Sequence, residues 1–238
     1  MRVALFVPCY IDQFYPQVAV ASLELLEKLG CEVSVPANQT CCGQPMANSG
    51  FAHITSGCDS NFATNFSGFD YIVGPSGSCV LHLKEHHPDA KIRSSVFEIC
   101  EFLVDVLKVK SLPSYFPHKV GLHQSCHGQR GLRISSMTEL NEKPFSKLTY
   151  LLDLVEGCEW KYPERQDECC GFGGTFCVTE EAVSVKMGQD RILEHQANEV
   201  EYIVGADTSC LMHMEGILKR SVSPVRVKHI VEILNAHA

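Results

Sequence analysis

Short apolar runs alternate with stretches of helical periodicity along the first half of the chain. Three runs have the length and composition of β-strands, at residues 2–7, 32–35 and 71–73. Between the first two runs, apolar residues recur at the spacing of one helix face, at Val18, Ala21, Leu25 and Leu29. Further helices are predicted from about Cys79 and over 97–108. The pattern predicts alternating strands and helices.

The second half of the chain repeats this order. Strands are predicted at 119–123, 159–162 and 202–204. Helices are predicted at 147–155, at 180–196, directly after residue 204, and at 227–236. Because strands separated by helical segments form parallel β-α-β units, each half is expected to build a parallel sheet.

The two halves also share sequence. Tyr-Ile-Val-Gly occurs at 71–74 and at 202–205, and Ser-Cys and His follow both copies in the same register. Cys-Cys-Gly occurs at 41–43 and at 169–171. The separation of matched positions grows from 117 at Cys9 and Cys126 to 127 at Gly30 and Gly157, which indicates a ten-residue insertion. The polar stretch 128–144 is the natural place for it, as a surface loop.

This duplication predicts the fold class and the domains. We expect an α/β protein of two tandem Rossmann-like domains, residues 1–112 and 113–238, whose parallel sheets are related by a pseudo-twofold axis.

The composition excludes several classes of partner. Of 238 residues, 45% are hydrophobic and 20% charged, which is an ordinary globular balance. The net charge of −8 and the lack of a basic run argue against nucleic acid. No apolar run approaches the roughly 20 residues of a membrane span, and the N-terminus does not look like a secretory signal. We therefore expect a cytoplasmic protein with no membrane span.

Thirteen cysteines are unusual in such a protein. An odd count, two adjacent Cys-Cys pairs and a reducing compartment argue against a disulfide framework. Metal binding or redox chemistry is the better hypothesis.

The duplicated cysteines fall at ligand-binding positions of the predicted sheets. Four per half follow strand ends, where open parallel sheets bind ligands and where helix N-termini favour thiolates. The first predicted metal-binding set is Cys9, Cys41, Cys42 and Cys79, and the second is Cys126, Cys169, Cys170 and Cys210. His82 and His213 each follow the last cysteine by three residues, so each is either an additional ligand or a neighbouring imidazole that caps or orients.

The adjacent cysteine pair bears on the choice of metal. Neighbouring side chains diverge in extended backbone, so such a pair suits the separated iron atoms of a cluster better than one zinc ion. Iron–sulfur is therefore preferred, although an all-cysteine site accepts either metal.

The spacing Cys-x31-Cys-Cys-Gly-x35-Cys, which starts at Cys9, resembles the CCG cysteine-rich domain of heterodisulfide reductase and glycolate oxidase iron–sulfur subunits. Together with Pro-Cys-Tyr at 8–10 and Cys-Cys-Gly-Phe-Gly-Gly-Thr-Phe at 169–176, the two-domain chain resembles the lactate-utilisation protein A family. The resemblance implies an iron–sulfur subunit of a cytoplasmic complex that oxidises L-lactate to pyruvate. The implied partners are a second protein with ferredoxin-type clusters and a third small protein, and the implied substrate of the complex is a small 2-hydroxy acid.

The chain departs from the wider CCG pattern at the end of each repeat. That pattern ends in Cys-x2-Cys, whose fifth cysteine can help to bind a fused non-cubane cluster, whereas both repeats here end in Cys-x2-His. One [4Fe-4S] cluster per repeat, with four cysteines or with a histidine ligand, fits the sequence as well, and zinc is the alternative metal. A histidine ligand would raise the reduction potential.

Other residues are assigned secondary roles. Cys31 and Cys158 are duplicated and expected to pack in the interior, and Cys58, Cys100 and Cys177 have no counterpart. Arg130 and Arg133 are either solvated or steer a carboxylate substrate. His123 and His127, which bracket Cys126, either transfer protons or support the metal ligands through hydrogen bonds. No residue of the sequence is an evident hydride acceptor or general base.

Two other functions stay open from the sequence. A thiol–disulfide reductase subunit would need a cluster that binds a substrate sulfur, and the missing fifth cysteines weigh against it. The other alternative is a structural zinc protein that mediates an interaction.

Overall fold

The computed structural model describes residues 1–237, which form two compact units, Met1–Lys108 and a second that begins at Val109. The mixed α/β class and the parallel sheets are confirmed. The functional domain limits of 1–112 and 113–238 stay a prediction.

The first unit is built on a four-stranded parallel sheet. Its strands are β1 (Arg2–Leu5), β2 (Glu32–Ser34), β3 (Tyr71–Gly74) and β4 (Val96–Glu98). They lie in the order β2-β1-β3-β4, with Val3 opposite Tyr71 and Leu5 opposite Val73. The inner strands are apolar along their length because helices cover both faces of a parallel sheet.

The helices of the first unit connect these strands. They are α1 (Cys9–Phe14), α2 (Pro16–Lys28), α3 (Gln44–Met46), α4 (Ser56–Phe66), α5 (Gly77–His86), α6 (Ala90–Ser95) and α7 (Ile99–Glu101). Short π-type or 3₁₀ turns occupy Ala47–Phe51, Ala52–Ile54 and Phe102–Val106. Helix α4 was not predicted, because its segment is polar and buries little besides Phe62 and Phe66.

The second unit repeats the architecture. Its strands are β5 (Lys119–Leu122), β6 (Glu159–Lys161), β7 (Tyr202–Gly205) and β8 (Arg226–His229), in the order β6-β5-β7-β8. Its helices are α8 (Lys147–Leu152), α9 (Phe176–Thr179), α10 (Glu181–Ala197), α11 (Thr208–Arg220) and α12 (Ile230–Leu234). A π-type turn at His127–Gly131 and a 3₁₀ turn at Thr138–Leu140 lie in the inserted segment. That segment is only partly a surface loop, because Gln129 and Ile134 are buried.

Each sheet has a fourth strand that the sequence pattern missed. The helices predicted at 97–108 and 227–236 begin instead as β4 and β8, which pair with β3 and β7. Glu98 and His229 then end these strands and cap the following helices through a capping box. Both short strands run into a helix without an intervening loop, so the helical pattern that follows dominated the prediction.

In the described residues, no helix is both long enough and apolar enough to cross a membrane.

Candidate metal centres

The first set of predicted ligands lies at the carboxyl edge of the first sheet. Strands β1 and β3 are neighbours in the sheet. After β1 the chain continues to β2 on one side, and after β3 it continues to β4 on the other. Open α/β sheets bind ligands at such a point, where the strand order reverses. Cys9 begins α1 after β1, and Cys79 lies in the first turn of α5 after β3. The Cys41-Cys42 pair follows β2.

These four thiols form a continuous array. The Cys9 thiol donates to Cys41 Sγ at 3.8 Å. Cys42 donates to Cys41 and also contacts Cys79. Cys42 and Cys79 are buried, with 2% and 9% exposure, so the inner part of the array is shielded from water. The structure therefore brings all four predicted ligands of the first half together.

The glycine of Cys-Cys-Gly explains the motif. Gly43 has a φ of +92°, which is a left-handed conformation that favours glycine. The turn directs the Gly43 N–H back to Cys41 Sγ at 3.4 Å. It also lets the adjacent thiols of Cys41 and Cys42 meet, so the divergence expected of an extended pair does not occur here. The pair can consequently face one small ion as well as a cluster.

The array concentrates negative charge on one sulfur. Hydrogen bonds from Cys42 and Cys9, together with the Gly43 N–H, lower the pKa of Cys41 to about 2. The pKa of Cys9 is raised, mainly because its thiol donates a hydrogen bond to Cys41 and to a smaller extent because it is partly buried. The thiolate is the metal-binding form of cysteine, so Cys41 is prepared for ligation and the other thiols release protons when a metal binds.

The second half builds the same array. Cys126 donates to Cys169, Cys170 contacts both Cys169 and Cys210, and Gly171 N donates to Cys169 Sγ at 3.3 Å. The pKa of Cys169 is lowered to about 2 by the hydrogen bonds from Cys126 and Cys170. Both predicted sets of four are thus assembled. Four soft thiols without a carboxylate fit zinc or an iron–sulfur cluster, and they do not fit magnesium or calcium.

The two histidines predicted as additional ligands lie near the arrays. His82 is buried on α5 and lies close enough to Cys41 for its charge to lower the pKa of that thiol. The pKa of His82 itself is lowered, mainly by burial and secondarily by the neighbouring charge of His86. His213 Nε2 lies 3.2 Å from the Ser184 carbonyl oxygen. Their role as ligands stays a prediction.

A third histidine, His123, lies beside the thiols of the second array, closer than the sequence indicated. Among residues 1–237, the one group of three metal-ligating side chains with ligand atoms all within 4.8 Å is His123, Cys170 and Cys210. The sequence places His123 beside Cys126, as a candidate for proton transfer or for supporting the ligands, and its three-residue distance from Cys126 gives no sign that it faces the cysteines of other strands.

The other cysteines are all free thiols outside the two sets. Cys31 and Cys100 are buried, Cys158 is half-buried, and Cys177 donates to the Gly174 carbonyl at 3.0 Å. Cys58 packs on α4 beside Gly43.

The two arginines of the inserted segment are engaged in ion pairs. Arg130 contacts Glu139 at 2.9 Å, and Arg133 contacts Glu142 at 2.6 Å. A substrate carboxylate would have to compete with these glutamates.

Comparison with known proteins agrees with the duplicated site. The sequence model of the CCG cysteine-rich domain matches residues 3–84 and 120–215, which contain both sets of cysteines. A lactate utilization protein A from Geobacillus kaustophilus is 39% identical over 99% of this chain and 99% of its own length. The chain belongs to the lactate utilization protein A family.

Other relatives carry the same name and extend over the same length. The lactate utilization protein A of Oceanobacillus iheyensis is 37% identical and covers 100% of this chain and 98% of its own length. Among solved structures, a hypothetical protein from Helicobacter pylori aligns with 98% of this chain at a TM-score of 0.62 and 11% identity. This chain spans 48% of that protein, and the likeness shows the fold alone.

Proposed function

We propose that this chain is an iron–sulfur subunit of a cytoplasmic complex that oxidises L-lactate to pyruvate. The observation that carries the proposal is the pair of four-thiol arrays, in a chain whose full-length relatives are named for lactate utilisation. When bound, one iron–sulfur cluster per array, of the [4Fe-4S] type, would accept and release single electrons.

The surroundings of the two thiol arrays are suited to an iron–sulfur cluster. Cys79 and Cys210 lie in the first turns of α5 and α11, where the helix N-terminus favours an anionic ligand. Burial of Cys42 and Cys170 keeps water from the inner sulfurs. All thirteen cysteines are free of disulfides, which fits a reducing compartment.

The proposal assigns the remaining chemistry to partners. No described residue forms an evident hydride acceptor, and Arg130 and Arg133 are paired with glutamates. We expect other iron–sulfur subunits of the lactate-utilisation complex to complete the site for the 2-hydroxy acid.

The first test is the metal content of the full chain purified without oxygen. We expect iron and labile sulfide in equal amounts, and an electron paramagnetic resonance signal after reduction. Cys42→Ala and Cys170→Ala should each remove about half of the iron, because each removes the central thiol of one array. Cys158→Ala is the matched control, since it removes a half-buried cysteine outside both sets. Stoichiometric zinc without sulfide from an iron-replete preparation would overturn the electron-transfer role.

The second test concerns the substrate. In the assembled complex, L-lactate should reduce the clusters of this subunit, and the Cys42→Ala and Cys170→Ala variants should each lose part of the reducible signal. Clusters that lactate leaves oxidised in an otherwise active complex would contradict the proposal.

A further inference from the structure

A group of buried polar side chains lies behind the second thiol array, where the first half has aromatic rings. His123 follows β5 as Phe6 follows β1, at the 117-residue separation of Cys9 and Cys126. Arg191 and His195 on α10 stand 129 residues after Phe62 and Phe66 on α4.

Contacts support this correspondence of α4 with α10. A Cβ on Gly43 would meet Thr55, and a Cβ on Gly171 would meet Ser184, which again lies 129 residues later. The ring pairs also correspond. Phe6 lies edge-on to Phe66 at 5.8 Å between centroids, and His123 lies edge-on to His195 at 6.5 Å.

The polar replacements are nearly excluded from water, and several of their nitrogen atoms lack hydrogen-bond partners. His123 is 2% exposed and His195 is 0% exposed. Neither ring nitrogen of either histidine has a hydrogen-bond partner, and neither does Arg191 Nε. Buried polar atoms normally have hydrogen-bond partners, so a group of nitrogens without partners at one place indicates that they interact with a bound ion or ligand.

The surrounding packing holds these rings in place. A Cβ on Gly121 of β5 would lie 2.3 Å from His195 Nδ1, so the imidazole occupies space that Ala4 fills on β1. Arg191 donates to the carbonyl of Arg165 and to Glu194 Oε2 at 2.6 Å. The His195 ring therefore packs against one side of His123, and the thiols of Cys170 and Cys210 lie close to His123 as well.

The thiols supply the other half of the geometry. The ligand atoms of His123, Cys170 and Cys210 all lie within 4.8 Å of one another. An imidazole nitrogen and cysteine sulfurs are the donors that zinc and iron centres share. Phe6 offers no donor atom at the matching place of the first half.

We propose that His123 is a ligand of the metal centre in the second half, together with Cys170 and Cys210. The proposal rests on the proposed function only in requiring that this half binds a metal. It makes the second centre a mixed cysteine–histidine site and leaves the first without this ligand. Because a neutral imidazole places less negative charge on the centre than a thiolate at the same position, replacing His123 with cysteine should lower the reduction potential of the second centre.

His213 is the competing histidine of this half. Its Nε2 faces the Ser184 carbonyl oxygen at 3.2 Å, and a Cβ on Gly188 would lie 2.9 Å from the same nitrogen. His213 is thus held by the backbone of α10, whereas His123 has both nitrogens free for a ligand.

The experiment uses the full chain with Cys42→Ala, which silences the first centre. The protein is labelled with ¹⁵N-histidine, purified without oxygen and reduced, and pulsed electron paramagnetic resonance records nitrogen couplings. We expect one strong ¹⁵N coupling that His123→Ala removes and His213→Ala retains. Metal affinity should fall by roughly 10–100-fold or more in His123→Ala, since loss of a supporting group alone has that effect.

Two further variants separate ligation from folding. His123→Cys should retain the metal, lose the nitrogen coupling and lower the reduction potential, which a merely structural role would not produce. His123→Phe installs the residue of the first half, and fluorescence of Trp160, the single tryptophan, reports whether the second unit stays folded.

The outcomes are distinguishable from failure of the proposed function. If the second half binds zinc, X-ray absorption should show a nitrogen at about 2.0–2.1 Å that His123→Ala removes; the ligand proposal then stands and the electron-transfer role falls. An iron–sulfur centre without nitrogen coupling, or a coupling that disappears only in His213→Ala, overturns the ligand proposal and leaves the function intact. A second half that binds no metal overturns both.

Discussion

The two halves of the chain share a sheet order and a thiol array, but they differ in what lies behind the array. In the first half, Phe6, Phe62 and Phe66 form a tight aromatic cluster with centroids 4.4–5.8 Å apart. In the second half, His123, Arg191 and His195 replace those rings. Buried polar atoms without partners follow the same division, since Glu98 Oε1 is the one such atom in residues 1–108 and all the others lie in the second unit. Duplication has thus kept the predicted ligands and changed their surroundings.

The largest expected difference concerns Glu98, whose counterpart is His229. Glu98 is fully buried, and burial raises its pKa to about 8 from 4.5. A carboxyl with a raised folded-state pKa contributes stability that is present below pH 4.5 and is lost as the pH rises to about 8. At about 1.4 kcal/mol per pKa unit, the first unit should lose as much as about 5 kcal/mol across this window.

Urea unfolding of metal-free protein at pH 5 and pH 8 measures this loss. Far-UV circular dichroism follows both units, and Trp160 fluorescence follows the second alone. Glu98→Gln keeps an acceptor for the Cys100 and Glu101 N–H groups and should flatten the pH dependence. A pH dependence that is unchanged in Glu98→Gln would contradict the assignment.

The next difference concerns the glycines of the two Cys-Cys-Gly turns. Both have positive φ, so alanine is strained at either position by about 1 kcal/mol. At Gly171 the added Cβ would also lie 2.5 Å from the Ser184 carbonyl oxygen, whereas at Gly43 it would lie 3.2 Å from the Thr55 side chain. We expect Gly171→Ala to cost about 3 kcal/mol and Gly43→Ala about 1–2 kcal/mol.

Thermal or urea unfolding of the two single variants checks this order. The same variants should weaken metal retention, because each turn aims an N–H at a cysteine sulfur. Equal costs at the two glycines would show that the Ser184 backbone moves to accept the methyl group.

The sequence predicted the parts of the molecule that depend on repetition and spacing. Tyr-Ile-Val-Gly and Cys-Cys-Gly recur in register, so the duplicated α/β units and the two sets of four cysteines could be found without a structure. Strands β4 and β8 could not, because each runs into a helix without an intervening loop and the helical pattern that follows dominates. The position of His123 beside Cys126 indicates only a role near the second set, whereas its close approach to Cys170 and Cys210 depends on how the chain leaves β5 in the folded sheet.

A third comparison sets Gly121 of β5 against Ala4 of β1. A Cβ on Gly121 would lie 2.3 Å from His195 Nδ1, so Gly121→Ala should destabilise the second unit by about 2 kcal/mol. His195→Ala opens that space, and in its background the same substitution should cost nothing. Urea unfolding followed by Trp160 fluorescence gives the coupling energy of the cycle. Additive costs would mean that the imidazole does not occupy this space.

The smallest difference concerns two lysine–glutamate pairs that support the capping boxes. Lys84 Nζ contacts both carboxylate oxygens of Glu101, at 2.7 and 2.8 Å, and lies 4.9 Å from the Phe97 ring centroid. Lys228 Nζ contacts one oxygen of Glu232 at 3.2 Å. Partly exposed pairs contribute about 0–1 kcal/mol, and a cation over an aromatic ring adds about 0.5–1 kcal/mol.

Lys84→Met should therefore cost about 1–1.5 kcal/mol and Lys228→Met about 0.5 kcal/mol or less. Urea unfolding in low salt and in 1 M NaCl checks both, and salt should reduce the cost of each because it screens the ion pair. The ring contribution is specific to the first half, so Phe97→Leu should remove most of the difference between the two lysines. If Lys84→Met still costs more stability than Lys228→Met in the Phe97→Leu background, the two-oxygen contact with Glu101 explains the difference. The aromatic ring of the first half then has no part in it.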